Sequence, residues 1–354
     1  MEESHTETPW SQSNASDGVT SSERYLTRLG RKAFLSLWSY SNLFTDEGKK
    51  GNGDGKELCD FTVIFGDHVL LFSDKHCEFP THSDINVAWY RWYRRAVEKS
   101  AKQLAGAESW LKRFPNRLFL DAKCEQQFPL NLPPDDTRKV HLIAVTRGSS
   151  KAAFDHWGGG SSGSLVIDTS VSLQEHEQTP FRVGWILPGR KFVHIFDEMT
   201  LDIVLNELDT VSDFIGYLSK KEEYLANSGV VFSVAGEEEL VASYFMRMDK
   251  EGKNYCFPTI APDINCAVHM EGDWREFVIS DQYKVRKKSN AQSYLWDKLI
   301  EYQNSHIIHG TAQLHDQSGD ANESHELAMR AMAEEGACRT SRACRKSSPG
   351  PNRK

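Results

Sequence analysis

The clearest pattern along the chain is a pair of short apolar runs, residues 60–65 (Asp-Phe-Thr-Val-Ile-Phe) and 69–73 (Val-Leu-Leu-Phe-Ser), joined at Gly66-Asp67-His68. Their length and the turn residues between them predict a β-hairpin. Upstream, Leu26, Leu29, Ala33, Leu37 and Ser41 recur at helical spacing, with Phe34 and Trp38 widening the face. They predict a first helix from Ser21 or Ser22 to about Phe44. Downstream, Ser83 or Asp84 is placed to cap a long helix to about Lys112, with Tyr90, Tyr93, Val97, Leu104 and Leu111 inward and Pro115 as its stop.

Apolar runs at 118–121, 140–145, 165–167, 181–187 and 192–196 predict further strands, and 201–208 and 212–227 predict two helices. Gly158 to Ser164 lacks the Lys-Ser/Thr ending of a P-loop and reads as a mobile linker. Beyond Val230, short helical and extended pieces alternate to about residue 313, and 327–335 predicts one more helix. The expected organisation is a disordered N-terminus at 1–20, an α/β domain at 21–200, an α-rich module at 201–335 and a disordered basic tail at 336–354. The abrupt loss of apolar residues in that tail also fits a truncated or frame-altered C-terminus.

Composition narrows the function classes only modestly. The 354 residues carry a formal charge of -8, which excludes a uniformly basic nucleic-acid coat but not a local basic groove. No apolar run approaches the ~20 residues of a membrane span, and residues 1–21 have no secretory-signal pattern, so no membrane partner is expected. Seven widely spaced cysteines without a Cys-x-x-Cys pair read as reduced thiols of a cytoplasmic protein. Cys59 and Cys77 flank the open end of the hairpin, where incidental thiols are a simpler reading than redox chemistry. His68, His76 and His82 lie near the hairpin without tight metal spacing, and the Glu237-Glu-Glu239 run reads as an acidic helix start favoured by the helix dipole.

Chemistry concentrates at the hairpin's open end, in Glu57, Asp60, Asp74 and Lys75. Carboxylates on adjacent strands form the protein half of a magnesium or manganese site, and a lysine beside them can steady a hydroxide or a scissile phosphate. On the long helix, Arg91, Arg95, Lys99 and Lys102 form a basic stripe, with Trp89, Trp92 and Arg94 nearby. It could follow a phosphate backbone or be a solvated helix face.

Asp60, the turn, and Ser73-Asp74-Lys75, between a preceding and a following helix, resemble the catalytic hairpin of the PD-(D/E)xK nuclease superfamily. With Glu57 three residues before Asp60, and a helix bearing Lys99, Lys102 and Gln103, the segment is most similar to nuclease-related-domain proteins. The resemblance spans residues 21–146. It implies a restriction-endonuclease-like mixed sheet flanked by helices, in α-β-β-β-α-β order, followed here by the α-rich module. It also implies Mg2+- or Mn2+-dependent cleavage of nucleic acid, with DNA the expected substrate, in a bacterial cytoplasm. By family position Asp60 holds metal, Lys75 is the catalytic lysine and Gln103 an accessory residue. The family's second carboxylate lies two residues before the lysine, where this chain has Ser73. Asp74 should face the opposite way in a regular strand. A bulge could turn Asp74 inward, Glu57 could supply the second ligand, or the site could be inactive. An inactive relative would bind nucleic acid or a protein partner through the stripe and residues 201–335.

Overall fold

A computed structural model describes residues 18–49, 53–187, 189, 191–252, 254–261, 265–309, 311 and 323–334. Of the N-terminus expected to be disordered at 1–20, residues 1–17 lie outside the described residues, as does the basic tail at 336–354, whereas Thr20 is ordered as a helix cap. The first helix, α1 (Ser21–Phe34), starts at a capping box in which Thr20 and Glu23 satisfy each other's backbone N–H groups. It ends earlier than its periodicity predicts. Leu35 adopts φ 62°, and residues expected to continue the helix form strand β1 (Ser39–Thr45) instead. Gly30 lets α1 press against the sheet, because a Cβ there would lie 2.5 Å from the Phe61 ring.

The hairpin forms as β2 (Lys56–Phe65) and β3 (His68–His76), followed by α2 (Ile85–Tyr93) and α3 (Lys99–Arg113), joined through a π-turn at Arg94–Glu98. Asp84 caps α2 by accepting the Asn86 N–H. Next come β4 (Leu118–Phe119), β5 (Lys139–Arg147), α4 (Ser150–His156), β6 (Val166–Ser172), β7 (Arg182–Trp185) and β8 (Val193–Phe196). One mixed sheet has the order β4-β1-β2-β3-β5-β8. β1, β2 and β3 run antiparallel, whereas β5 and β8 lie parallel to β3. The helical crossover between β3 and β5 is what a parallel pair requires.

The chain continues as α5 (Thr200–Glu207), α6 (Val211–Leu225), β9 (Val230–Val234), α7 (Glu237–Phe245), β10 (Cys266–Met270), α8 (Asp273–Ile279) and α9 (Asp281–Ile308), with residues 323–334 also helical. A second sheet has the order β10-β9-β6-β7, so the expected division at residue 200 falls between strands of one sheet. Another departure is the 28-residue helix α9, where short pieces were expected. Phe34 of α1, Phe214 of α6 and Phe72 of β3 meet with ring centroids 4.9 to 6.2 Å apart, burying one sheet face under both helices. The Gly158–Ser164 loop is tied down rather than a free linker: Ser162 and Ser164 donate to Glu238 at 2.6 and 3.1 Å. Among the described residues no helix is long and apolar enough to cross a membrane.

Candidate active site

The β2–β3 ladder pairs residues only as far as Phe61 and Phe72, although both strands continue. Asp60 sits where they part. Its Oδ2 accepts the Asp74 main-chain N–H at 2.5 Å and lies 3.3 Å from Lys75 Nζ. The side chain thus replaces a missing rung of the ladder and joins the two positions on which the chemistry turns.

Strand β2 is itself irregular here. Its register with β1 shifts between Leu43 and Phe44, and Asn42 opposite takes φ 52°. Cys59 Sγ reaches the Thr62 hydroxyl at 3.1 Å, a contact that a straight strand would place on opposite faces. The distortion lets Glu57 and Asp60, three residues apart, act on each other. With its amide turned so that nitrogen faces these oxygens, Asn42 donates to Glu57 Oε1 at 3.1 Å and to the Asp60 carbonyl at 3.2 Å. Burial pushes the Glu57 carboxyl up to about 7, aided by the negative charges of Asp60 and Glu23 and opposed by Lys75. Glu23, from the first turn of α1, joins the site without any spacing that links it to Glu57 or Asp60. Its signal was the Thr20-x-x-Glu23 capping box, which reads as helix punctuation.

Asp74 turns elsewhere, as alternation with Ser73 and Lys75 dictates. Its Oδ1 lies 3.3 Å from Arg147 Nε, while Oδ2 is buried without a hydrogen bond. Burial raises its carboxyl, Arg147 and the Ser22 hydroxyl oppose the rise, and the Asp60 charge adds to it. The Arg147 guanidinium also covers the Tyr25 ring at 5.5 Å, and the Tyr25 hydroxyl bonds Asp202 at 2.7 Å. The Asp74 carboxylate therefore pairs with Arg147 beneath α1 and feels the Asp60 charge without sharing its Lys75 contact. Gln103, expected in an accessory role, reaches the usual second-carboxylate position instead of a metal ligand: its Oε1 accepts from the Ser73 hydroxyl at 3.2 Å. Ser73, in the usual carboxylate position, is fully buried and also reaches Ser100 at 3.3 Å.

No protein-family model, curated protein or solved structure matches this chain.

Arg91, Arg95, Lys99 and Lys102 line an open groove with Pro80, Tyr90, Arg94 and Glu98. Glu98 pairs with Lys102 at 2.6 Å and with Arg94 at 3.4 Å, and its carboxyl is lowered chiefly by the Lys102 hydrogen bond. The nearby Trp89 and Trp92 are fully buried and offer no stacking surface. Cys59 and Cys77 are free thiols; burial pushes the Cys59 thiol up to about 12, which makes it unreactive. The acidic run opening α7 is more than a dipole effect. Glu237 binds buried Lys221 at 2.5 Å, Glu238 holds the serine loop, and Glu239 accepts the Trp274 N–H at 3.0 Å.

Proposed function

We propose that the chain hydrolyses phosphodiester bonds of nucleic acid, with DNA as substrate, at a site built from Asp60, Glu57 and Lys75. The carrying observation is the Asp60 carboxylate 3.3 Å from Lys75 Nζ and electrostatically coupled to Glu57. The α1-β1-β2-β3-helix-β5 order, with β5 parallel to β3, supports the reading because it is the order the resemblance implies.

A magnesium or manganese ion fits the donor set. Two crowded carboxylates, one with its carboxyl raised to about 7, form a place that a divalent cation would relieve. Asp60 and Glu57 would hold it, and bound there it would supply Lewis-acid stabilisation of the phosphate charge. Lys75, on the neighbouring strand β3, would orient the attacking water or steady a phosphate oxygen. The basic groove on α2 and α3 would hold the polynucleotide backbone.

A second reading is favoured by one observation. Asp60 Oδ2 is already satisfied by the Asp74 N–H and Lys75, and Ser73 replaces the usual second carboxylate, as in a relative that binds nucleic acid without cutting it. Incubating supercoiled plasmid and single-stranded DNA with Mg2+ or Mn2+ separates the two. Cleavage abolished by Asp60→Asn and by Lys75→Ala supports hydrolysis, and cleavage surviving both sinks it. Retention of DNA by the wild-type chain without cleavage supports the second reading.

A further inference from the structure

At the opposite end of β3 and β5, about four residues or ~13 Å along the strand from the Asp74–Val145 pair, two imidazoles and a carboxylate meet. His141 Nδ1 lies 2.8 Å from Glu222 Oε1, and His194 Nε2 lies 2.9 Å from the same oxygen. The three ligand atoms fall within 4.8 Å of one another. His141 comes from β5, His194 from the adjacent β8 and Glu222 from α6.

We propose that His141, His194 and Glu222 bind one divalent transition metal of the zinc class, with a fourth position left to solvent. Two imidazole nitrogens and one carboxylate oxygen are a donor set zinc accepts, whereas magnesium and calcium prefer oxygen alone. Ligands at ~2.0–2.1 Å from a tetrahedral zinc lie about 3.3 Å apart, so the two His–Glu222 contacts need open by a few tenths of an ångström, and the imidazole nitrogens, within 4.8 Å of each other, complete the triangle. The imidazoles are held rigidly on neighbouring strands, His141 at 3% exposure and His194 at 0%.

Two further features fit a metal site. His141 presents its other nitrogen, Nε2, to His68 Nδ1 at 3.0 Å, and the two rings stack at an interplanar angle of 5°. An outer partner of this kind fixes the ring and tautomer of a ligating histidine. Glu222 keeps a third of its side chain exposed, which gives the ion an entry path. The neighbouring cation Lys221 is neutralised by Glu237 at 2.5 Å, and Lys191 by Glu108 at 3.1 Å. Bound metal would staple α6 to the sheet edge.

The test uses the full chain stripped with a chelator and dialysed, titrated with Zn2+ alone by calorimetry and with Co2+ by visible absorption. The expected result is one equivalent of metal, tetrahedral Co2+ bands, and a raised melting temperature. Glu222→Gln keeps an acceptor oxygen on a partly exposed side chain, so folding is checked by circular dichroism; its zinc affinity should fall at least tenfold and the Co2+ bands should vanish. Asp60→Asn should leave the tetrahedral Co2+ bands unchanged, which keeps this site separate from the hydrolytic one. No uptake by the wild-type chain, or equal uptake by the wild type and Glu222→Gln, would overturn the proposal and leave a hydrogen-bonded cluster only.

Discussion

Asp60 Oδ2 accepts the Asp74 main-chain N–H at 2.5 Å in the gap where β2 and β3 part. The residue expected to carry chemistry therefore also completes the sheet. Asp60→Asn retains an acceptor oxygen of the same size, whereas Asp60→Ala leaves a buried N–H unpaired at a cost of about 1–3 kcal/mol. Urea unfolding should place Asp60→Ala lower by roughly that amount, with Asp60→Asn nearer the wild type. Metal-dependent cleavage should fall in both by at least ~100-fold. Equal destabilisation by the two would show that the charge, rather than the acceptor, holds the strands.

Glu57 makes a prediction about pH. Its carboxyl titrates near 7 in the fold against an ordinary 4.5, so the folded chain binds this proton more tightly than the unfolded one. The stabilisation is complete below about pH 4.5 and is lost as pH rises through about 7. Glu57→Gln should therefore melt higher than the wild type at pH 8 in chelator, by on the order of 2 kcal/mol or several degrees, and match it near pH 4.5. Mn2+ should narrow the gap by favouring the charged carboxylate. A difference independent of pH would contradict the crowding of Glu57 by Asp60 and Glu23.

The sequence made the hairpin legible because β2 and β3 are apolar and interrupted by a turn, and the crossover helix because Asp84 caps it. β1 was hidden. Ser39, Ser41 and Asn42 are buried in it beside Tyr40 and Leu43, so no alternation marks the strand, and helical spacing ran on through Leu37 to Ser41. Only Leu35, at φ 62°, ends the helix, and nothing in a leucine announces a left-handed backbone. α9 is hard to read because its first part, residues 281–290, is almost wholly polar, and the helically spaced Leu295, Leu299 and Tyr302 of its second half stay exposed. Asp60 and Lys75 could be paired from strand geometry. The Glu57–Asp60 coupling could not, because it needs the register shift opposite Leu43, which is a property of the β1–β2 pairing rather than of either run alone. The His141–His194–Glu222 group joins residues up to 81 positions apart through tertiary contact and left no local spacing to read.

Arg147 and Asp74 form an ion pair with side chains 15% and 0% exposed, 3.3 Å apart. Arg147→Met would leave a buried carboxylate with only the Ser22 hydroxyl beside it, and removing one partner of such a pair costs about 3–5 kcal/mol. The loss should be largest at pH 8 and shrink toward pH 5, because burial already raises the Asp74 carboxyl and a protonated acid needs no partner. The double variant Asp74→Asn/Arg147→Met should recover part of the stability in thermal or urea unfolding. Full additivity of the two single changes would mean that the pair does not interact.

The groove lined by Arg91, Arg95, Lys99 and Lys102 makes the last prediction, read through salt. Each cation that neutralises a phosphate releases counterions, so affinity for DNA should fall steeply between 50 and 200 mM salt, and each lost contact should reduce the slope by about 1. Lys99→Gln and Arg91→Gln should weaken binding of a fluorescent oligonucleotide uniformly across sequences. Glu98→Gln should do the reverse: Lys102 and Arg94, now spent on the carboxylate at 2.6 and 3.4 Å, would become available to phosphate. Tighter binding at low salt with a steeper slope is the expected result. Anisotropy curves for Glu98→Gln that overlay the wild type would show that the pairs are merely a solvated helix face.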